Sequence, residues 1–112
     1  MDVVFKNSKL RKELSSEKLL IKRHDPIRAR LIRRRLTELR AANTLEDLRS
    51  LPQARCHELE GNRAGQISVD LQHPFRLLFE CVNEPVPQKT DGGLDWKNVT
   101  AIMILGVEDT HG

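Results

Sequence analysis

HELEGNRAGQISVDLQHPFRLLFE, residues 57–80, contains two alternating segments, a glycine-bracketed turn and an arginine set among large apolar residues. In Gln66 to Leu71 the apolar Ile67, Val69 and Leu71 alternate with Gln66, Ser68 and Asp70. A period of two over this length predicts a half-buried strand. His73-Pro74 then reads as a turn, and the run from Phe75 to Val82 as a second strand. Phe75, Leu77 and Phe79 share one of its faces, Arg76, Leu78 and Glu80 the other. Arg76 thus occupies a place where a central strand usually carries an aliphatic side chain. A guanidinium stays charged, so it needs either an acid such as Asp70 or Glu80 or an anionic ligand.

Downstream, the period of two continues. Strands are expected at about Arg55 to Leu59, Gln66 to Leu71, Phe75 to Val82 and Asn98 to Val107, mostly in antiparallel pairs because the connections are short. The exception is NEPVPQKTDGGLDWK, 83–97, whose prolines and paired glycines predict an extended hairpin loop. In the last strand Val99, Ala101, Met103, Leu105 and Val107 oppose Ile102 and Ile104, a pattern that predicts a central strand covered on both sides.

Upstream of residue 57 the period is helical. Val3-Val4-Phe5 predicts a short opening strand, and Asn7-Ser8 a cap for a helix that places Leu10 and Leu14 on one stripe. A second helix is expected from about Ser16 to His24. Asp25-Pro26 then restarts the chain, with Asp as cap and Pro at the first helical position. From Pro26 to Ala42 the stripe Ala29, Ile32, Leu36 and Leu39 faces the core, leaving Arg28, Arg30, Arg33, Arg34, Arg35 and Arg40 on the remaining surface. Leu45 to Leu51 predicts a further short helix, ended by Pro52.

A chain of 112 residues has room for one modest core, so residues 1–112 are expected to form a single domain. No apolar run approaches the ~18 residues of a membrane span, and Met1-Asp2 does not open a signal peptide. A cytoplasmic protein without membrane contact is expected, with Cys56 and Cys81 as reduced thiols. The net charge of +3 conceals +8 in residues 1–56 and −5 in residues 57–112. A basic helical half suits a polyanion or an acidic partner, and it also suits a plain solvated helix face.

Several chemistries lack their residues. There is no CxxC or HExxH spacing for a metal, no glycine-rich nucleotide loop and no nucleophile elbow, so neither metal nor cofactor is expected. Tyrosine is absent, which argues against an RNA-binding sheet of exposed stacking rings. Four features remain. Arg76 is either a structural salt bridge or a clamp for phosphate oxygens. His57 is either an ordinary strand histidine or a group that titrates near neutrality beside a site. Arg63 sits in a turn whose glycines favour positive φ. His111, which leaves the final strand with Asp109, is either a frayed terminal histidine or a group that the strand returns to the side of Arg76.

The order of these elements resembles the RelE/ParE superfamily of bacterial toxins, and within it the host-inhibition-of-growth, HigB-like killer proteins of type II toxin–antitoxin pairs. Three pieces carry the resemblance. His57 to Gly65 is similar to the family's H-x-L-x-G-[DN]-R-x-G turn. Pro74 to Phe79 is similar to its aromatic-Arg-[LI]-x-F strand, and Asp109-Thr110-His111 to its closing Asp-Tyr-His, with Thr110 in place of the tyrosine. The resemblance implies an α+β, RelE-like fold with N-terminal helices packed on a mainly antiparallel sheet of four to five strands. It implies a metal-independent, ribosome-dependent endoribonuclease that cuts mRNA in the A site. Arg76 would brace the scissile phosphate, His57, Asp109 and His111 would line the site, and Arg63 would hold RNA backbone. From the basic helix, Arg33 and Arg34 are expected to meet ribosomal RNA. The implied partners are a HigA-like helix-turn-helix antitoxin, the ribosome and its mRNA, with operator DNA reached only through the antitoxin complex. A different class stays open on the same fold, a ParE-like toxin that binds and inhibits DNA gyrase without cutting RNA. A third reading, a basic-helix DNA-binding protein, rests on the arginine run alone.

Overall fold

A computed structural model describes residues 1–109. Its frame is a five-stranded sheet of β1 (Asp2–Phe5), β2 (His57–Glu58), β3 (Ile67–Asp70), β4 (Phe75–Cys81) and β5 (Ala101–Asp109), in the order β1-β5-β4-β3-β2. β2, β3, β4 and β5 pair antiparallel, and β1 runs parallel to β5 on the far edge. The helical segment that follows β1 covers one face of the sheet. Among the described residues no helix is long and apolar enough to cross a membrane.

That cover is α1 (Ser8–Ser15), α2 (Glu17–Arg23) and α3 (Pro26–Ala41), each with a side-chain cap. Asn7, Ser16 and Asp25 accept from the backbone amides of Leu10, Leu19 and Arg28, satisfying donors that have no partner within the helix. Ala29, Ile32, Leu36 and Leu39 of α3 pack with Leu14 and Leu20 against Ile67, Val69, Leu77, Phe79, Ile102 and Ile104 of the sheet. Full burial of each large aliphatic side chain is worth about 1.5–3 kcal/mol before entropy is counted.

The structure corrects four local expectations. Arg35, assigned above to the solvent side of α3, is buried: it donates to the carbonyls of Asp70 (2.7 Å) and Gln53 (3.1 Å) and to Glu38 (3.0 Å). A guanidinium with three acceptors arranged around it is satisfied inside, and periodicity alone does not reveal such acceptors. The strand expected from Arg55 shrinks to His57–Glu58, because Arg55 has left-handed backbone (φ 44°) and ends a turn of 3-10 helix at Pro52–Ala54. Leu45–Ser50 is likewise 3-10 rather than α-helix.

The fourth correction matters most. Between Leu78 and Phe79 the β4–β5 register shifts, so that Leu78 faces Gly106 while Phe79 faces Ile104 and Leu105 is the extra residue of a bulge. Val107 therefore joins Ile102 and Ile104 on the core face, opposite Leu77, instead of sharing the face of Met103. Only one face of β5 carries the core; Met103 and Leu105 on the other side stay half-buried.

Candidate functional site

The sheet face turned away from the helices carries a row of alternating charge. Asp70 of β3, Arg76 of β4 and Glu108 of β5 lie directly opposite one another. Arg76 Nε stands 3.4 Å from Asp70 Oδ1, while Arg55 Nη1 reaches the other carboxylate oxygen at 3.5 Å. At the other end of the row, Arg63 Nη2 donates to Glu108 Oε1 at 2.8 Å. The sequence Arg55, Asp70, Arg76, Glu108, Arg63 thus runs across three strands with each acid between two arginines.

The bulge creates this row. Continuing the alternation from Ile102 and Ile104 puts Glu108 on the core side, and the extra residue returns it to the face of Arg76. Among the described residues Asp70 is an acid that Arg76 meets, and that Nε contact is an ion pair rather than a well-formed hydrogen bond. The Arg76 side chain is only 13% exposed, so its charge is poorly screened by water.

Arg63 arrives from a distance. Its turn joins β2 to β3, and Glu108 lies two strands away from β3, so the turn extends across the face, where Ser68 and Leu78 are fully buried. Gly61 and Gly65 have φ of 65° and 93°, values that a side chain strongly disfavours, and they let the chain fold back. Arg63 also donates to the Gln66 side chain at 3.2 Å, and the bond to Glu108 raises its pKa above the ordinary arginine value.

His57 shares this face, opposite Ser68 in the β2–β3 register. Its Nδ1 lies 2.8 Å from the Arg55 carbonyl oxygen. A carbonyl only accepts, so Nδ1 carries the proton and Nε2 is the basic nitrogen. Two strand spacings and a two-residue offset separate its Cα from that of Arg76, roughly 12 Å in all.

The remaining candidates fall elsewhere. The register sets Asp109 opposite Phe75, on the alternate face from Glu108 and Arg76. His111 and Thr110 lie outside the described residues. Arg33 and Arg34 sit on the solvent side of α3, paired with Glu17 (3.0 Å) and Glu38 (3.7 Å) and 59% and 70% exposed. Because α3 covers the opposite face of the sheet, these two arginines and Arg76 look out from opposite sides of the molecule. Sequence reading also missed Glu108 and Arg55; Gly106, an isolated glycine in a strand pattern, was the available signal for the bulge that presents Glu108.

Other groups offer less. A cavity of about 350 Å³ beneath the 83–97 loop is lined by Glu58, Glu80, Cys81, Val86, Gln88 and Leu94 among others. Glu58 there accepts from the Trp96 indole at 3.0 Å. Cys56 and Cys81 are both free, and burial pushes the Cys56 thiol up to about 12. Among the described residues no three His, Cys, Asp or Glu side chains gather as metal ligands.

The profile of the HigB-like toxin family, described as the RelE-like toxin of the type II toxin–antitoxin system HigB, matches residues 4–91. The match spans β1 to the 83–97 loop and includes His57, Arg63 and Arg76. No curated protein matches the chain.

Proposed function

Since the chain belongs to the HigB-like family of RelE-like toxins from type II toxin–antitoxin systems, we propose that it is a ribosome-dependent mRNA endoribonuclease working through the open sheet face. A toxin of this kind has a cognate antitoxin as partner. We take that partner to be a helix-turn-helix protein, HigA-like, through which alone the toxin reaches operator DNA. The site of action is then the cytoplasm.

One observation carries the reading: a mostly buried arginine, Arg76, stands near the start of the middle strand of the sheet, on a face that also holds His57 and Arg63. The reaction needs those types. The ribose 2′-oxygen attacks the adjacent phosphorus, its proton passes to a base, and the bond to the 5′-oxygen breaks as that oxygen takes a proton. The products are a 2′,3′-cyclic phosphate and a 5′-hydroxyl. Arg76 offsets the charge that builds on the phosphoryl oxygens. His57 Nε2, the ring nitrogen not engaged with the Arg55 carbonyl, takes the 2′-OH proton. By family resemblance, His111 serves the leaving-group side; Asp109, set opposite Phe75 on the alternate face of β5, is given no chemical step. Arg33 and Arg34, on the far side, hold the chain against ribosomal RNA, and the 83–97 loop contacts ribosome or antitoxin.

The test is mRNA cleavage on programmed ribosomes with an empty A site, mapped by primer extension, for the wild type, Arg76→Ala and His111→Ala. Discrete A-site cuts that fall by on the order of 10²- to 10³-fold in Arg76→Ala are expected. A wild-type chain that arrests growth without cutting mRNA would replace this reading with gyrase binding.

A further inference from the structure

The Gly61–Arg63 turn buries none of its own residues, and nothing packs within 4 Å of where a Cβ would stand on Gly61 or Gly65. Backbone bonds from Leu59 to Gln66 and from Gln66 to Arg63 close the hairpin, and the described contacts that direct it across the sheet are side-chain anchors. Arg63 supplies them: Nη1 to Gln66 within the hairpin, and Nη2 to Glu108, 45 residues away in sequence and opposite Arg76 in register.

We propose that Glu108 is a positioning residue: its carboxylate pins the turn over the open face and fixes Arg63 beside Arg76, so that two arginines from distant strand ends grip one RNA segment. The inference rests on the ribonuclease reading of this face. Three features support it. Only a bulge puts Glu108 on this side of β5, and bulges recur where a strand must re-aim a side chain at a site. The Arg63–Glu108 pair is 33% and 48% exposed, and such pairs contribute little to stability, so geometry is the more consequential result of the contact. Finally, the Arg63 fork is held by two acceptors on its inner side, which pre-orders a planar donor set for phosphate oxygens.

The sign of one substitution separates this role from a plain surface acid. Removing a carboxylate near an RNA path ordinarily strengthens binding, because like charge is lost. Here Glu108→Gln is expected to weaken binding of a short single-stranded RNA carrying a 2′-deoxy block, by about tenfold. The slope of log K against log salt should fall by roughly 0.7, as in Arg63→Ala, since one phosphate contact is lost from a single strand. On programmed ribosomes the same variant should raise the half-saturating concentration more than it lowers the saturated cleavage rate, with melting temperature unchanged. The swapped pair Arg63→Glu/Glu108→Arg restores the ion pair but leaves the cation on β5, and is expected to stay weak. Equal or tighter RNA binding by Glu108→Gln, or full recovery in the swapped pair, would overturn the role. If the wild type fails to cut mRNA, the ribonuclease reading falls, while the blocked oligonucleotide still decides whether Glu108 positions Arg63.

Discussion

The two sides of this molecule use arginine in opposite ways. On the solvent side of α3, Arg33 and Arg34 are more than half exposed, each near one acid, and with Arg30 they line an open groove. On the open sheet face Asp70 stands 3.4–3.5 Å from Arg76 and Arg55, and Glu108, opposite Arg76 in register, stands 2.8 Å from Arg63. The first arrangement makes a long-range field, which raises the local concentration of a polyanion and is sensitive to salt. In the second, carboxylates on neighbouring strands fix where the guanidinium groups point. On the ribonuclease reading proposed above, attraction and positioning fall to different surfaces of the molecule.

Arg35 is the residue that crosses between the two sides, and it gives the largest expected effect. It sits on the arginine helix, yet it is bonded to the Asp70 carbonyl beneath the charged row. Arg35→Ala leaves buried carbonyls and Glu38 without their donor, which costs about 3 kcal/mol. Denaturant unfolding is expected to show that loss, against less than about 0.5 kcal/mol for Arg34→Ala. Similar values for the two variants would mean that α3 is one uniform surface and the division drawn here is wrong.

Within the row, Asp70→Asn tests positioning directly. The isosteric amide keeps the volume but removes the charge that Arg76 and Arg55 share. Cleavage is expected to fall by about tenfold while RNA affinity changes little, because orientation rather than net charge is lost. On the other side, replacing Arg30, Arg33 and Arg34 with Gln should do the reverse. Affinity for a structured polyanion should drop, with a salt slope shallower by about one per lost phosphate contact, while the rate at saturation holds. A rate loss in the helix-side variant would join the two surfaces into one site.

The sequence made the helical side readable almost residue by residue. Asn7, Ser16 and Asp25 each announce a helix start through the donors they satisfy, and the stripe of α3 fixes which side is buried. The alternation in β3 and β4 likewise placed Arg76 on the face away from the core. What the sequence does not show is register. The row Asp70, Arg76, Glu108 exists only when three strands are aligned, and a single extra residue at Leu105 decides whether Glu108 or Val107 faces the site. Arg35 was misplaced for a related reason: its acceptors are two backbone carbonyls and a neighbouring Glu, and a hydropathy pattern carries no record of where carbonyls point. Read from the sequence, the arginine run and the face of Arg76 are already separate regions; what the fold adds is that they look out from opposite sides of the molecule.

Cys56 and His57 give the smallest and cleanest check, because consecutive residues stand on the two sides of the sheet. Cys56 packs against the core and His57 joins the open face. Burial raises the Cys56 thiol from 9.0 to about 12, outweighing the nearby Arg49, which acts in the opposite direction. A thiol whose pKa is higher folded than unfolded favours the folded chain below the unfolded value, and that contribution is lost as pH rises from about 9 toward 12. Stability is therefore expected to decline from about pH 9 upward, less steeply in Cys56→Ala. At pH 8 the native Cys56 should react with a thiol reagent slower than the unfolded chain by on the order of 10²-fold or more, since the thiolate is the nucleophile. Diethyl pyrocarbonate should meanwhile modify His57 readily through its accessible Nε2, without any change in stability. If native Cys56 labels as fast as the unfolded chain, the β2 edge is open on both sides, and the face that holds Arg76 is not separated from the core by a closed sheet.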